Sequence, residues 1–144
     1  MLKQLLVALG LMAVSVAIHA TGMASALRGL RREASASPQV WTLCWLFIRL
    51  AGLMILLHLA EISVWALVYA WRRAMRDLPS ALYFSAVTYT TTGYGDVVLP
   101  PDWRLVGAVE ALTGILMCGW STGFFFAIVS RTFETKAKSS VRTS

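Results

Sequence analysis

Three long apolar runs, at residues 5–26, 40–71 and 105–130, dominate the polarity pattern of the chain. Each is long enough to cross a bilayer, because about 20 apolar residues rising about 1.5 Å each cover a hydrocarbon core of about 30 Å. Between the second and third runs the pattern changes. Asp77-Leu78-Pro79-Ser80 carries the Pro and small polar residues of a helix start, and a mostly apolar stretch follows over 81–89. A helix of about ten residues reaches only about 15 Å, so this element enters the membrane without crossing it and must turn back. The turn is Thr91 to Asp96, and Leu99-Pro100-Pro101-Asp102 is an external loop leading into the last run. The expected fold is an all-α membrane protein: three transmembrane helices with a re-entrant helix and loop between the second and third.

Composition agrees with a membrane setting. Of 144 residues, 58% are hydrophobic and 14% charged, and the mean hydropathy of +0.67 lies outside the range of soluble domains. The net charge of +6 comes from short basic clusters flanking the apolar runs. Lipid head groups are the partners such clusters meet, and nucleic acid is not an expected partner. Cys44 and Cys118 both fall inside apolar runs and read as packing residues, with neither a disulfide framework nor a cysteine metal site suggested. Two histidines and scattered acids at no recognisable spacing make no catalytic constellation, so no enzyme and no cofactor is expected. There is no internal repeat, and no helix with Arg at every third position as a voltage sensor needs.

The first run resembles a secretory signal, since Lys3 precedes it and Ala24-Ser25-Ala26 resembles a cleavage site. Topology argues for retention. Cleavage would turn the Thr91–Asp96 loop to the cytosol, whereas a retained helix with its N-terminus outside turns it outward. In that orientation Arg28, Arg31, Arg32, Arg131, Lys136, Lys138 and Arg142 lie inside, against Lys3, Arg72, Arg73, Arg76 and Arg104 outside. Trp65, Tyr69, Trp71 and Trp103 then cluster near the outer surface as an aromatic belt would. The expected division is an N-terminal transmembrane helix over 1–27, a cytosolic connector over 28–39, a pore domain over 40–131, and a basic cytosolic tail over 132–144 too short for a ligand-binding domain.

Irregular backbone at membrane depth is tolerated only where protein covers it or where it lines a water-filled path. Aiming successive carbonyls at one axis requires alternation into positive φ, which glycine takes readily, and this is a reason for Gly93 and Gly95. The run Thr91-Thr92-Gly93-Tyr94-Gly95-Asp96 resembles the potassium-channel signature T-V/T/I-G-Y/F-G-D. Over roughly residues 40–131 the chain resembles the two-helix pore class of small prokaryotic potassium channels, with one extra N-terminal helix. The resemblance implies that Thr91, Thr92, Gly93, Tyr94 and Gly95 form a selectivity filter, with permeant K+ held at Thr91 to Tyr94 by carbonyl oxygens that replace its water. It implies that Asp96 stands at the outer mouth, that Tyr83 and Phe84 join Tyr94 in a cuff behind the filter, and that Gly114 is the inner-helix hinge. One loop cannot surround an ion, so a homotetramer in the plasma membrane is implied, with passive K+ flux as its activity. Val87 stands where some members of the class carry a carboxylate behind the filter.

Other residues carry competing readings. Ile115, Cys118, Thr122 and Phe126 share one helical face, which lines an inner cavity or simply packs. Gly119 and Gly123 form a G-x-x-x-G pair that favours close helix packing, and Gly114 suits packing or bending equally. Glu61 and Glu110 lie inside spans in the outer half. They serve either as hydrogen-bonded acids pinning the short helix or as protonatable groups tuning the filter from behind. His58, one turn before Glu61, is expected to contact it. Two rival functions stand beside a potassium channel: a nonselective cation channel of the same architecture, and a non-conducting regulatory membrane subunit.

Overall fold

The computed structural model describes residues 2–33 and 40–142, with side chains over 2–29 and 41–131. Its elements are α1 (Leu2–Glu33), α2 (Val40–Trp71), α3 (Leu78–Tyr89), a 3-10 turn at Pro101–Trp103, and α4 (Arg104–Arg142). Three helical stretches, Leu2–Gly29, Trp41–Trp71 and Pro101–Arg131, are long and apolar enough to cross a membrane, and the protein is a multi-pass membrane protein. α3 has 12 residues and spans about 18 Å, so it cannot cross. Helix α1 continues past the expected boundary at residue 27 through Glu33, so the first part of the expected connector is helical; residues 34–39 lie outside the described residues. The expected tail begins as a continuation of α4.

Local chemistry sets where the helices stop. α2 ends in a Schellman arrangement: Ala74 N–H donates to the Tyr69 carbonyl at 2.9 Å, and Arg73 N–H to the Ala70 carbonyl at 3.0 Å. Arg73 itself takes the left-handed conformation, at φ +56°, where glycine is the usual residue. α3 begins at Asp77, whose Oδ1 accepts from Ser80 N–H at 2.8 Å, with Pro79 in the first turn. Those hydrogen bonds from Ser80 hold the Asp77 carboxyl below its usual pKa.

α3 packs against α2 and α4, and α1 lies along α4 and α2 on the other side. The main core sits toward the α3 N-terminal end and joins Ala8 and Leu11 of α1, Trp65, Ala66 and Tyr69 of α2, Ala81 and Phe84 of α3, and Val106 of α4. A second cluster, Ile62, Tyr89 and Met117, lies deeper. Trp65 and Tyr69 are therefore not belt residues. Both are fully buried, Trp65 Nε1 donating to Ser15 Oγ at 3.1 Å, while Trp71 is 77% exposed. The outward faces remain apolar, with Trp41, Trp45, Ile55, Leu56, Leu112 and Leu116 exposed, as lipid or neighbouring protein requires. Cys44 and Cys118 are exposed free thiols and do not pack inside the chain.

Candidate functional site

α3 leads directly into the loop. At its C-terminus Thr90 Oγ1 donates to the Ala86 carbonyl at 2.7 Å, Thr91 N–H reaches the Thr88 carbonyl at 2.9 Å, and Gly93 N–H reaches back to the Val87 carbonyl at 3.0 Å. Positive φ then recurs at every second residue: Thr91 at +58°, Gly93 at +54° and Gly95 at +78°. Alternation of hand is the backbone form that lines up peptide groups, N–H groups to one side and carbonyls to the other. Two of the three positions are glycines, as the sequence led us to expect. The third is a β-branched threonine, for which such a φ is an outlier that costs about 1–3 kcal/mol and persists only where the surroundings impose it. At the far end Tyr83 Oη donates to Asp96 Oδ2 at 2.8 Å, tying loop to helix, and Leu99 is buried in the main core.

Residues 91–96 are all exposed in the single chain. Tyr94 is 71% exposed in the single chain, so its ring does not pack on α3 of that chain, and Tyr83 is 40% exposed. Phe84 is buried, edge-on to Tyr69 at 5.6 Å, and belongs to the core of its own chain. Ile115, Cys118, Thr122 and Phe126 are all exposed along α4. Gly114 is a close-approach position within a continuous helix, because a Cβ there would stand 1.9 Å from the Tyr89 carbonyl oxygen. At Gly119 and Gly123 nothing lies within 4 Å of such a Cβ, so that pair does not pack inside the chain.

Two fully buried acidic side chains, Glu110 and Glu61, grip α3 from behind. Glu110 of α4 accepts from Tyr69 Oη at 2.7 Å and hydrogen-bonds Ser85, whose Oγ also lies 2.9 Å from the Ile62 carbonyl. Glu61 of α2 hydrogen-bonds Tyr89 and lies 2.8 Å from His19 Nδ1. Ser85 and Tyr89 are one turn apart and share a face of α3. His58 stands close to Glu61, with ligand atoms within 4.8 Å, but its hydrogen-bond contacts go elsewhere: His58 Nδ1 lies 3.1 Å from Tyr89 Oη, and its Nε2 3.2 Å from Ser121 Oγ. Ser121 Oγ is also 2.9 Å from His19 Nε2.

Sequence reading passed over His19, Ser121, Ser85 and Tyr89 as site residues. A signal was present in α1, where Ser15 and His19 are polar at i, i+4 within an apolar span, and a polar stripe there faces protein. One ligand atom each from His19, His58 and Glu61 lies within 4.8 Å of the others, a spacing a metal ion could use. Both nitrogens of each imidazole and both Glu61 oxygens already have hydrogen-bond partners, which is the chemistry of a polar network and not of an open ligand set.

Fold and site together define a helical membrane protein in which a half-length helix and an irregular loop are inserted between two spans. A model of the ion channel family matches residues 53–131, more than half of the chain, and the chain belongs to that family. The match begins within α2, later than the resemblance at residue 40 suggested, and leaves out α1. No curated protein and no solved structure matches the chain.

Proposed function

We propose that the chain is one subunit of a homotetrameric, potassium-selective channel of the plasma membrane, with Thr91, Thr92, Gly93, Tyr94 and Gly95 as its filter. The observation that carries this reading is the alternation of positive φ at Thr91, Gly93 and Gly95 in a loop exposed within the chain. Exposed irregular backbone between two spans demands a cover of protein or water, and three further copies about an axis supply both. Four loops then offer K+ rings of backbone oxygen in place of its hydration shell, with the Thr91 hydroxyl adding oxygen at the inner end. The C-terminus of α3 presents the negative end of its dipole to the ion path, which favours a cation there. Asp96, held by Tyr83, stands at the outer mouth. The exposed α4 face of Ile115, Cys118, Thr122 and Phe126 lines the inner cavity. The distribution of Lys and Arg supports an outer N-terminus and a cytosolic C-terminus.

The test is flux through purified protein in liposomes, with the subunit number read by cross-linking. Flux that favours K+ over Na+ and is blocked by Ba2+, from a tetramer, supports the reading. Equal K+ and Na+ flux would support a nonselective cation channel, and absence of flux from a well-folded protein would support a non-conducting subunit.

A further inference from the structure

The contacts around Glu61 close into a circuit that draws on all four helices. Going round, Glu61 (α2) meets Tyr89 (α3), Tyr89 meets His58 Nδ1 (α2), His58 Nε2 meets Ser121 Oγ (α4), Ser121 meets His19 Nε2 (α1), and His19 Nδ1 returns to Glu61. His19 and Glu61 are fully buried, and Tyr89 and Ser121 nearly so. His58 is the one partly exposed member of the circuit in the single chain.

Each of the five contacts needs one proton between its two heavy atoms. Tyr89 and Ser121 bring one each, and a neutral imidazole brings one. With Glu61 as a carboxylate and both histidines neutral, four protons serve five contacts. One pair is then left lone pair against lone pair, and the circuit carries a buried negative charge. One added proton completes the circuit, whether it sits on the Glu61 carboxyl or as the second proton of an imidazole, and in either place the net charge is zero. Among the described residues, the other titratable groups facing the circuit are Cys118 and Glu110, both on α4; the Glu110 oxygens are already engaged by Tyr69 and Ser85.

We propose that these five side chains form a single proton-binding site, completed by His19 of α1, and that its occupancy holds Tyr89 and thereby sustains conduction through the loop that starts two residues later. The role of α1, which lies outside the family match, is to close this site. The coupling to conduction rests on the potassium-channel reading above. Thr91 holds a left-handed conformation that its surroundings must impose, and the α3 C-terminus is what the circuit fixes. Losing the proton breaks one contact of the circuit and loosens that hold, so conduction is expected in the protonated state and declines as pH rises through the titration.

The chain has only two histidines and both are in the circuit, so labelling histidine with 15N reports on this site alone. The experiment follows imidazole 15N NMR shifts and K+ flux against pH on the full chain in liposomes. Wild-type protein should show both imidazoles shifting together at one midpoint, as coupled groups sharing a proton do, with flux falling about tenfold across that midpoint. In Glu61→Gln the amide donates one bond and accepts the other. The circuit is complete without the added proton, and both the shifts and the flux should become flat over the same range. Ser121→Ala opens the circuit and should lower flux at all pH values. Separate midpoints for the two imidazoles, a response unchanged in Glu61→Gln, or a response abolished by a metal chelator would overturn the proton site. Joint titration with flux indifferent to pH would overturn the coupling. Joint titration with no K+ flux at any pH would instead sink the channel reading and leave the proton site standing.

Discussion

Gly114 of α4 lies so close to the Tyr89 carbonyl that a Cβ would stand 1.9 Å from the oxygen and 2.8 Å from the carbonyl carbon. Both are backbone atoms at the root of the loop, and neither can move aside as a side-chain tip could. Gly114→Ala should therefore cost at least about 1–3 kcal/mol and displace α4 from α3. A large drop in thermal stability of the detergent-solubilised protein is the expected result. Gly119→Ala and Gly123→Ala, where the added methyl meets nothing in the chain, are the controls for intrachain packing. An alanine at 114 that melts like wild type would show that the two helices do not approach this closely.

The Ser85 hydroxyl has one proton and two oxygens within reach, the Ile62 carbonyl and Glu110. A neutral carboxyl or an amide at position 110 can donate to Ser85, which is then free to serve Ile62, while Tyr69 donates to the remaining oxygen. Glu110→Gln should keep all three bonds and stay within about 1 kcal/mol of wild type. Glu110→Leu strands the buried Tyr69 hydroxyl and should cost about 1–3 kcal/mol. Thermal melts of the two variants decide it, and equal losses would show that the network contributes nothing beyond side-chain volume.

Filter geometry gives a third expectation. Gly95 sits at φ +78° with nothing of its own chain where a Cβ would be, so Gly95→Ala meets backbone strain and no clash within the chain, at a cost of about 1–2 kcal/mol per chain. Four strained copies around one ion should abolish selective K+ flux while the protein still inserts and assembles. Retention of wild-type K+ selectivity in this variant would remove positive φ at 95 from the list of requirements.

How much of this was legible beforehand differs by level. The spans, the half-length α3 and the positive φ of Gly93 and Gly95 follow from run length, capping residues and glycine chemistry, all of which are local. The partners of the buried acids are not local. Glu61 and Glu110 could be read as gripping α3, but His19 is 42 positions from Glu61 and 102 from Ser121, and these apolar helices carry too little polar patterning to show which faces meet. The same blindness put Trp65 and Tyr69 in an aromatic belt. Their polar ends are satisfied by Ser15 and Glu110 inside the bundle, and only the fold brings those residues together. Thr91 at φ +58° was missed because its conformation is imposed by the end of α3 and not favoured by its own side chain.

Arg73 closes α2 in the left-handed conformation on an exposed turn. Arg73→Gly removes the Cβ penalty while keeping the backbone bonds to Tyr69 and Ala70. It should raise stability by about 0.5–1 kcal/mol, less the greater entropy of glycine in the unfolded chain. Thermal unfolding reads this directly, and a lower melting temperature would mean that the arginine side chain contributes more than its strain costs.

The acid limb of stability should report the cap of α3. Asp77 accepts from Ser80 as a carboxylate, so its carboxyl titrates below the usual range in the folded protein and at the ordinary value when unfolded. A depressed folded value means that this stabilisation is fully present above the unfolded carboxylate range and is lost as pH falls through the folded one. Asp77→Asn keeps a side-chain oxygen for Ser80 without the charge; it should retain most of the stability near neutrality and flatten the dependence at low pH. Asp77→Ala should lower stability near neutrality and converge with wild type in acid, where the native cap has already been protonated. Melting temperatures measured from neutral pH downward separate these outcomes. An alanine variant that runs parallel to wild type at every pH would show that residue 77 acts through backbone conformation and not through its carboxylate.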